Sequence, residues 1–357
     1  MLCLTRYFYI YDEVTYSLLI SLVLKDNFDE ILFWLSELIE SGFIKELWQL
    51  TFKIYFDFYA IKYPKLGVYI RKQYILYKRS SKPVHLIRCY KNMRVKKVDT
   101  AVFHTRILSN QIIAGMNHTP SKEISLTMFR GRKPKYPMFN THEIHCIQSI
   151  LKNNMNNISY YYAKMNEKEF IDIIHRYLQY NRKQLPYRNE FYNDKKHIAL
   201  CNMFSLQHKN EREIGRFISV NKEELELYNS YNKKVEPVYK TLTKHMKYAV
   251  KDEVSQFILQ RDKIEYNELK ELYWYKWEEL CYYTPLWNER FKKYGASFIT
   301  KDSNTQLVFE NDKTREEFYE MYGYEFDEQG LDIQSKTLKQ LSFKKGDVAN
   351  ITGKIIY

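Results

Sequence analysis

His142, His145 and Cys146 fall within five residues, and His197 with Cys201 forms an i, i+4 pair. Imidazole and thiolate are the donors that tetrahedral zinc accepts, so four of these side chains would make a structural site if the two segments met. The run His142-Glu143-Ile144-His145 is one residue short of the His-Glu-x-x-His spacing, so it is no metalloprotease motif. A chain with nine His and five Cys brings some of them close in sequence without purpose. The reading carried forward is ordinary buried or surface His and Cys, with no metal and no cofactor.

Other catalytic patterns are missing. The chain has no Gly-x-x-x-x-Gly-Lys-Ser/Thr loop, no Gly-x-Gly-x-x-Gly, no Gly-x-Ser-x-Gly and no Asp-x-Asp pair. Gly353-Lys354 lacks both the Walker spacing and the following Ser or Thr. No catalytic residue is assigned, and an enzyme stands third among the functional readings.

The chemistry that does stand out is charge. Between Phe58 and His142 there are eighteen Lys and Arg against two acids, Asp99 and Glu123, giving this stretch +16 in a protein of formal charge +13. A concentrated positive field attracts polyanions and gains free energy by releasing their counterions. The candidate binding residues are Arg71, Lys72, Lys78, Arg79, Lys82, Arg88, Lys91, Arg94, Lys96 and Lys97, then Arg130, Arg132, Lys133 and Lys135. Tyr63, Tyr69, Tyr74, Tyr77 and Tyr90 interleave with the first group, which suits unpaired bases stacking while cations hold phosphates. The alternative is a solvated basic helix face whose tyrosines point inward. Arg130-Gly131-Arg132-Lys133-Pro134 approximates an AT-hook core for the A·T minor groove, although Lys133 intervenes where proline normally follows. The alternative there is an ordinary basic loop.

Composition bounds what must hold these residues. At 357 residues with 45% hydrophobic residues, 33 Tyr and 21 Phe, the chain can bury a substantial core. Only 10 Gly and 8 Pro favour long regular elements. The five dispersed cysteines contain no Cys-x-x-Cys pair and suit a reducing compartment. No apolar stretch is long enough to span a bilayer, so no membrane partner is expected.

Periodicity predicts a mainly α protein: helical bundle domains with a small β-rich basic insertion and a C-terminal β-hairpin. Residues 1–80 read as an N-terminal helical domain of three or four helices, with Asn27 and Glu30 as a capping-box start and Gly42 just beyond a helix end. Residues 81–140 read as the basic insertion, with strand-like runs at Val84–Tyr90, Thr100–Leu108 and Ile124–Phe129. Residues 141–357 read as a C-terminal helical domain. There, Asn166 with Glu169 and Asn221 with Glu224 predict capping boxes, and long helices are expected over roughly 237–262 and 264–283. Thr284-Pro285 reads as a helix start closed by Gly295, and a hairpin is expected near 297–310. Trp274-Tyr275-Lys276-Trp277, Cys281 to Tyr283 and Trp287 form an aromatic band that reads as core.

The runs Tyr7-Phe8-Tyr9-Ile10-Tyr11-Asp12-Glu13-Val14, Phe33-Trp34-Leu35-Ser36-Glu37-Leu38 and Tyr55-Phe56-Asp57-Phe58-Tyr59-Ala60 carry a resemblance. So do Phe318-Tyr319-Glu320 and Tyr324-Glu325-Phe326-Asp327-Glu328-Gln329. Together they resemble an uncharacterised protein family of nucleocytoplasmic large DNA viruses, the giant viruses. The resemblance implies a viral setting, either the virus factory in the host cytoplasm or the virion, with other viral proteins as further partners. It supplies no site residues. The resulting expectation is a non-enzymatic accessory protein of viral replication or transcription that binds DNA or RNA. The runner-up is a minor virion structural protein whose basic segment meets genome or capsid.

Overall fold

The computed structural model describes residues 3–120, 139–180, 191–205, 217–232, 238–251, 265–301 and 304–341. Helices dominate, and the sheet among the described residues is one antiparallel hairpin, β1 (Ala296–Lys301) with β2 (Asn304–Phe309), in the register Ala296 to Phe309. No helix among the described residues is long and apolar enough to cross a membrane. The chain divides into two compact units, one drawing on residues up to Trp48 and from Ser219 onward, the other on Gln49 to Ile218. These unit boundaries do not coincide with the divisions near 80 and 140 expected from the pattern of the sequence.

The first unit is built on α1 (Tyr11–Val23) and α2 (Phe28–Glu40). Asp12 and Glu13 sit in the first turn of α1, where the helix dipole favours negative charge. Asn27 caps α2, accepting from the Asp29 amide at 3.3 Å. Glu30 does not complete the expected box. Its carboxylate turns instead to Trp34 Nε1 at 3.2 Å and to the Lys251 ammonium at 2.9 Å. Gly42 adopts φ +91°, and a Cβ there would lie 2.7 Å from Pro285 Cβ, so both backbone and space require glycine.

Residues near the start of the chain pack against residues far along it. The Leu4 amide donates to the Leu280 carbonyl at 3.0 Å, and Trp287 Nε1 donates to the Thr5 carbonyl at 3.2 Å. Phe8, fully buried, meets Trp277, Trp287 and Tyr324 at ring separations of 4.8 to 5.5 Å. Trp277 and Trp287 are core, as the aromatic band predicted, whereas Tyr275 and Tyr283 of the same band are exposed. Arg6 is 2% exposed, paired with Glu37 at 2.8 Å and donating to Ser36 Oγ at 3.0 Å. Beyond these lie α11 (Lys222–Tyr231), α12 (Val238–His245), α13 (Tyr266–Tyr275) and α14 (Trp277–Cys281), then α15 (Pro285–Lys293), the hairpin, α16 (Asp312–Tyr322) and α17 (Leu331–Leu341). Phe291, Phe298, Phe309 and Phe318 join α15, the hairpin and α16.

Two expected long helices are shorter. The one placed over 237–262 ends at His245; after it the chain is not helical, with the Val250 amide on the Gln340 carbonyl and the Lys251 amide on Ser17 Oγ. Residues 252–264 lie outside the described set. The one placed over 264–283 breaks at Lys276, whose φ of −136° is not helical. The capping boxes at Asn166 and Asn221 form as expected, and an unanticipated third forms at Asn140 with Glu143.

The second unit contains most of α3 (Ile44–Phe58), then α4 (Pro64–Ser80), α5 (Val84–Arg94), α6 (Ala101–Ile113), α7 (Thr141–Leu151), α8 (Met155–Lys164), α9 (Glu167–Tyr180) and α10 (Lys195–Ser205). Here the β-rich insertion is corrected. Val84–Tyr90 belongs to α5 and Thr100–Leu108 to α6 with its N-cap, while Ile124–Phe129 lies outside the described residues. The β-branched and aromatic content of these runs suggested strands, but burial follows helical spacing: Leu86, Cys89, Tyr90 and Met93 on α5 are all inside. On α6, Val102, Phe103 and Ile107 are buried, and Ser109 Oγ donates to the Ser159 carbonyl of α8 at 3.0 Å. Tertiary packing overrides intrinsic strand preference.

Candidate nucleic-acid interface

Pro64 starts α4 at the first helical position, where a missing amide costs nothing. Leu66, Ile70 and Gln73 form its inward side. The opposite side follows from helical spacing: Lys65, Lys72 and Arg79 are exposed and stand seven residues apart. At 1.5 Å per residue that is roughly 10.5 Å between neighbouring cations. Val68 and Ile75, 65% and 37% exposed, lie between them on the same face. Lys78 is also exposed, with its ammonium 5.7 Å from the Tyr74 ring centre.

Ser81, in the left-handed region at φ +53°, ends α4, and exposed Lys82 follows. His85 clips α5 to α4: Nδ1 lies 2.8 Å from Gln73 Oε1 and Nε2 lies 3.1 Å from Ser80 Oγ. Burial, then Arg88 and Lys82, lower the His85 pKa, so the clip is a neutral imidazole surrounded by cations. Arg88, Lys91 and Arg94 recur every three residues on the half-buried side of α5. Tyr69, beside Arg88, stacks on Phe217 at 4.0 Å. Lys96 lies 5.1 Å from the Tyr63 ring centre, and Lys97 is exposed.

Of the sequence candidates, Lys72, Lys78, Arg79, Lys82 and Lys97 therefore face solvent, while Arg71, Arg88, Lys91, Arg94 and Lys96 are half-buried. Arg130, Arg132, Lys133 and Lys135 lie outside the described residues. Lys65 was missed as a site residue, although its seven-residue interval to Lys72 is visible in the sequence. Lys62 is engaged by Asp99 at 3.6 Å, and Arg106 is buried.

Arg106 is the centre of a second arrangement, an internal one. Its Nε and Nη2 donate to both carboxylate oxygens of Asp57 at 2.9 and 2.7 Å. His197 Nε2 lies 3.1 Å from Asp57 Oδ1, and His197 Nδ1 lies 2.9 Å from the Tyr192 hydroxyl. The Tyr192 hydroxyl thus meets Nδ1 of His197, while Nε2 of the same ring is turned toward Asp57. Burial alone would raise the Asp57 carboxyl, but Arg106 and then His197 overcome it and hold the pKa well below the usual carboxylate range. Burial raises the Tyr192 hydroxyl, which makes it a poor nucleophile. The Asp57 carboxylate is thus paired within the unit, by Arg106 and with His197 beside it.

The His/Cys candidates are dispersed accordingly. Cys201 Sγ donates to the Phe56 carbonyl at 3.3 Å, His142 stands edge-on to Tyr161, and burial pushes the Cys146 thiol up to about 12. Among the described residues no three His, Cys, Asp or Glu are placed to hold a metal ion.

Lys53, one turn before Asp57 on α3, is brought down to about 8 by burial and by Arg106. A lysine depressed in the folded state subtracts stability below that pKa, and the loss fades as pH rises from about 8 toward the unfolded value of about 10.4. Lys53→Met is expected to stabilise the protein at pH 7 by about 1–2 kcal/mol, allowing for its partial exposure, and by much less at pH 10. Urea midpoints at the two pH values check this.

No protein family, curated protein or solved structure matches this chain.

Proposed function

We propose that this protein binds nucleic acid, DNA or RNA, without chemically altering it, through the solvent face of α4 and the adjoining cations of α5. The observation that carries the reading is the row Lys65, Lys72 and Arg79, flanked by Lys78 and Lys82, in a stretch from Phe58 to Val98 that contains no acid. Its interval of roughly 10.5 Å sets the cations apart on a scale that lets each meet a different phosphate of a strand. Exposed Val68 and Ile75 offer apolar contact between the cations, to sugar or base faces. With the resemblance to the giant-virus family, the setting we propose is viral replication or transcription, in the virus factory.

The test is a salt titration of binding to single- and double-stranded oligonucleotides. If about five cations each neutralise a phosphate, log K falls against log salt with a slope of about −4 to −5 on duplex, and about −3 to −4 on single strands. A flat dependence, or no retention of either nucleic acid near roughly 100 mM salt, would overturn the reading. The basic face would then dock on acidic protein, as a virion structural role requires.

A further inference from the structure

In the first unit, a cleft of about 200 Å³ opens between the end of α11 and the end of α12, lined by Tyr7, Phe33, Tyr231, Lys244, His245 and Lys247. Three aromatic rings meet three nitrogenous side chains in one small space. Tyr7 and Phe33 are buried, so their rings are fixed walls. Phe33 stands edge-on to Tyr231 at 5.5 Å, and the His245 ring lies parallel to Tyr7 at 4.5 Å.

The disposition of the lysines is the informative part. Lys251 is neutralised twice, by Asp26 and by Glu30, each at 2.9 Å. Lys247, four residues earlier on the same segment, has no carboxylate partner among the described residues. Its ammonium accepts instead the cover of the Tyr231 and Tyr248 rings, each centre 5.2 Å away, and donates to the Tyr231 hydroxyl at 2.8 Å. A cation held by neutral tyrosines keeps its net charge for an incoming anion. Lys244 at the same mouth is exposed and likewise has no ion pair among the described residues. The segment is held beyond Lys247 by the Val250 amide on the Gln340 carbonyl, by the Lys251 amide on Ser17 Oγ and by the Lys251 ion pairs, so Lys247 is presented from a fixed backbone.

A bare inorganic anion would use the cations and leave the rings idle; a neutral aromatic ring would do the reverse. We propose that this cleft binds a ligand combining both, a single nucleotide, with its base against the aromatic walls and its phosphate at Lys244 and Lys247. Drug-sized ligands occupy pockets of about 300–1,000 Å³. The smaller cleft fits one base and excludes a dinucleotide cofactor. The nucleotide is either free or the phosphorylated end of a strand. The proposal does not depend on the α4 face.

The experiment is calorimetric titration of the full chain with adenosine monophosphate, adenosine, inorganic phosphate and a short 5′-phosphorylated oligonucleotide. Adenosine monophosphate is expected to bind at least about tenfold more tightly than adenosine or phosphate, a difference of one contact's worth of affinity. The exposed-site double variant Lys244→Glu/Lys247→Glu should weaken it at least about tenfold with unchanged circular dichroism, and Lys247→Arg should retain it. Charge reversal on α4 should leave this binding intact, which separates failure here from failure of the nucleic-acid reading. Competition between the oligonucleotide and adenosine monophosphate identifies a strand end, and absence of competition identifies a free nucleotide; either supports the site. Adenosine monophosphate binding no more tightly than phosphate, or binding unaltered in the double variant, would overturn it.

Discussion

Asp57→Ala is expected to destabilise the protein by about 3–5 kcal/mol, because it leaves the Arg106 guanidinium buried without its counter-charge. Against the 5–15 kcal/mol that typically holds a domain together, that is a large share. Arg106→Met in the same background should restore most of the loss, since an apolar pair needs no desolvated charge to be compensated. Urea denaturation of the single and double variants closes the cycle, and additive losses would show that the two residues do not act as a pair. Acid should reproduce part of the effect. The Asp57 pKa is depressed in the folded state, so its contribution is present above about pH 4 and is lost as pH falls below that value. Arg106→Ala should cost a comparable amount, so any loss of the proposed nucleic-acid binding in that variant has to be read beside its stability.

The second large effect is on binding. Replacing Lys65, Lys72, Lys78 and Arg79 together by Glu should weaken association with DNA or RNA by at least about a hundredfold at low salt, and reduce the salt slope by about 4. The loss should be the same for every sequence, because phosphate contacts orient a duplex without reading it. All four side chains are exposed, so stability should move by no more than about 0.5 kcal/mol per site. Fluorescence anisotropy with two unrelated oligonucleotides, beside a melting curve, measures both. A loss confined to one sequence would indicate base contacts that the α4 row does not explain.

How much of this was legible depended on how local its cause was. The starts of α2, α9 and α11 could be read because an asparagine and its partner amide lie within three residues. The hairpin could be read from two alternating runs around a turn. The misreading of α5 and α6 came from weighing residue type over spacing: Val, Ile, Phe and Tyr were plentiful, yet buried positions 86, 89, 90 and 93 already followed a helical period. The α4 cation row was fully present in the sequence, and only Lys65 was overlooked. The Asp57–Arg106–His197 network was not readable, since its members are separated by 49 residues or more. Two of the three nonetheless left a local trace, an acid inside Tyr55-Phe56-Asp57-Phe58-Tyr59 and an arginine inside an apolar helix. A lone charge in an apolar run asks for a distant partner.

The bonds from Leu4 to Leu280 and from Trp287 to Thr5 also govern the order in which the protein is made. Residues 3–48 carry Phe8, Leu18, Trp34 and other side chains whose burial belongs to the first unit, yet that unit cannot close until roughly residue 290 has left the ribosome. The second unit is continuous in sequence and is complete some 70 residues earlier. At about 5–20 residues per second, the early helices wait on the order of 12–50 s with their apolar faces uncovered. During translation, therefore, the second unit can close before the first, although the first unit's earliest helices are made before it.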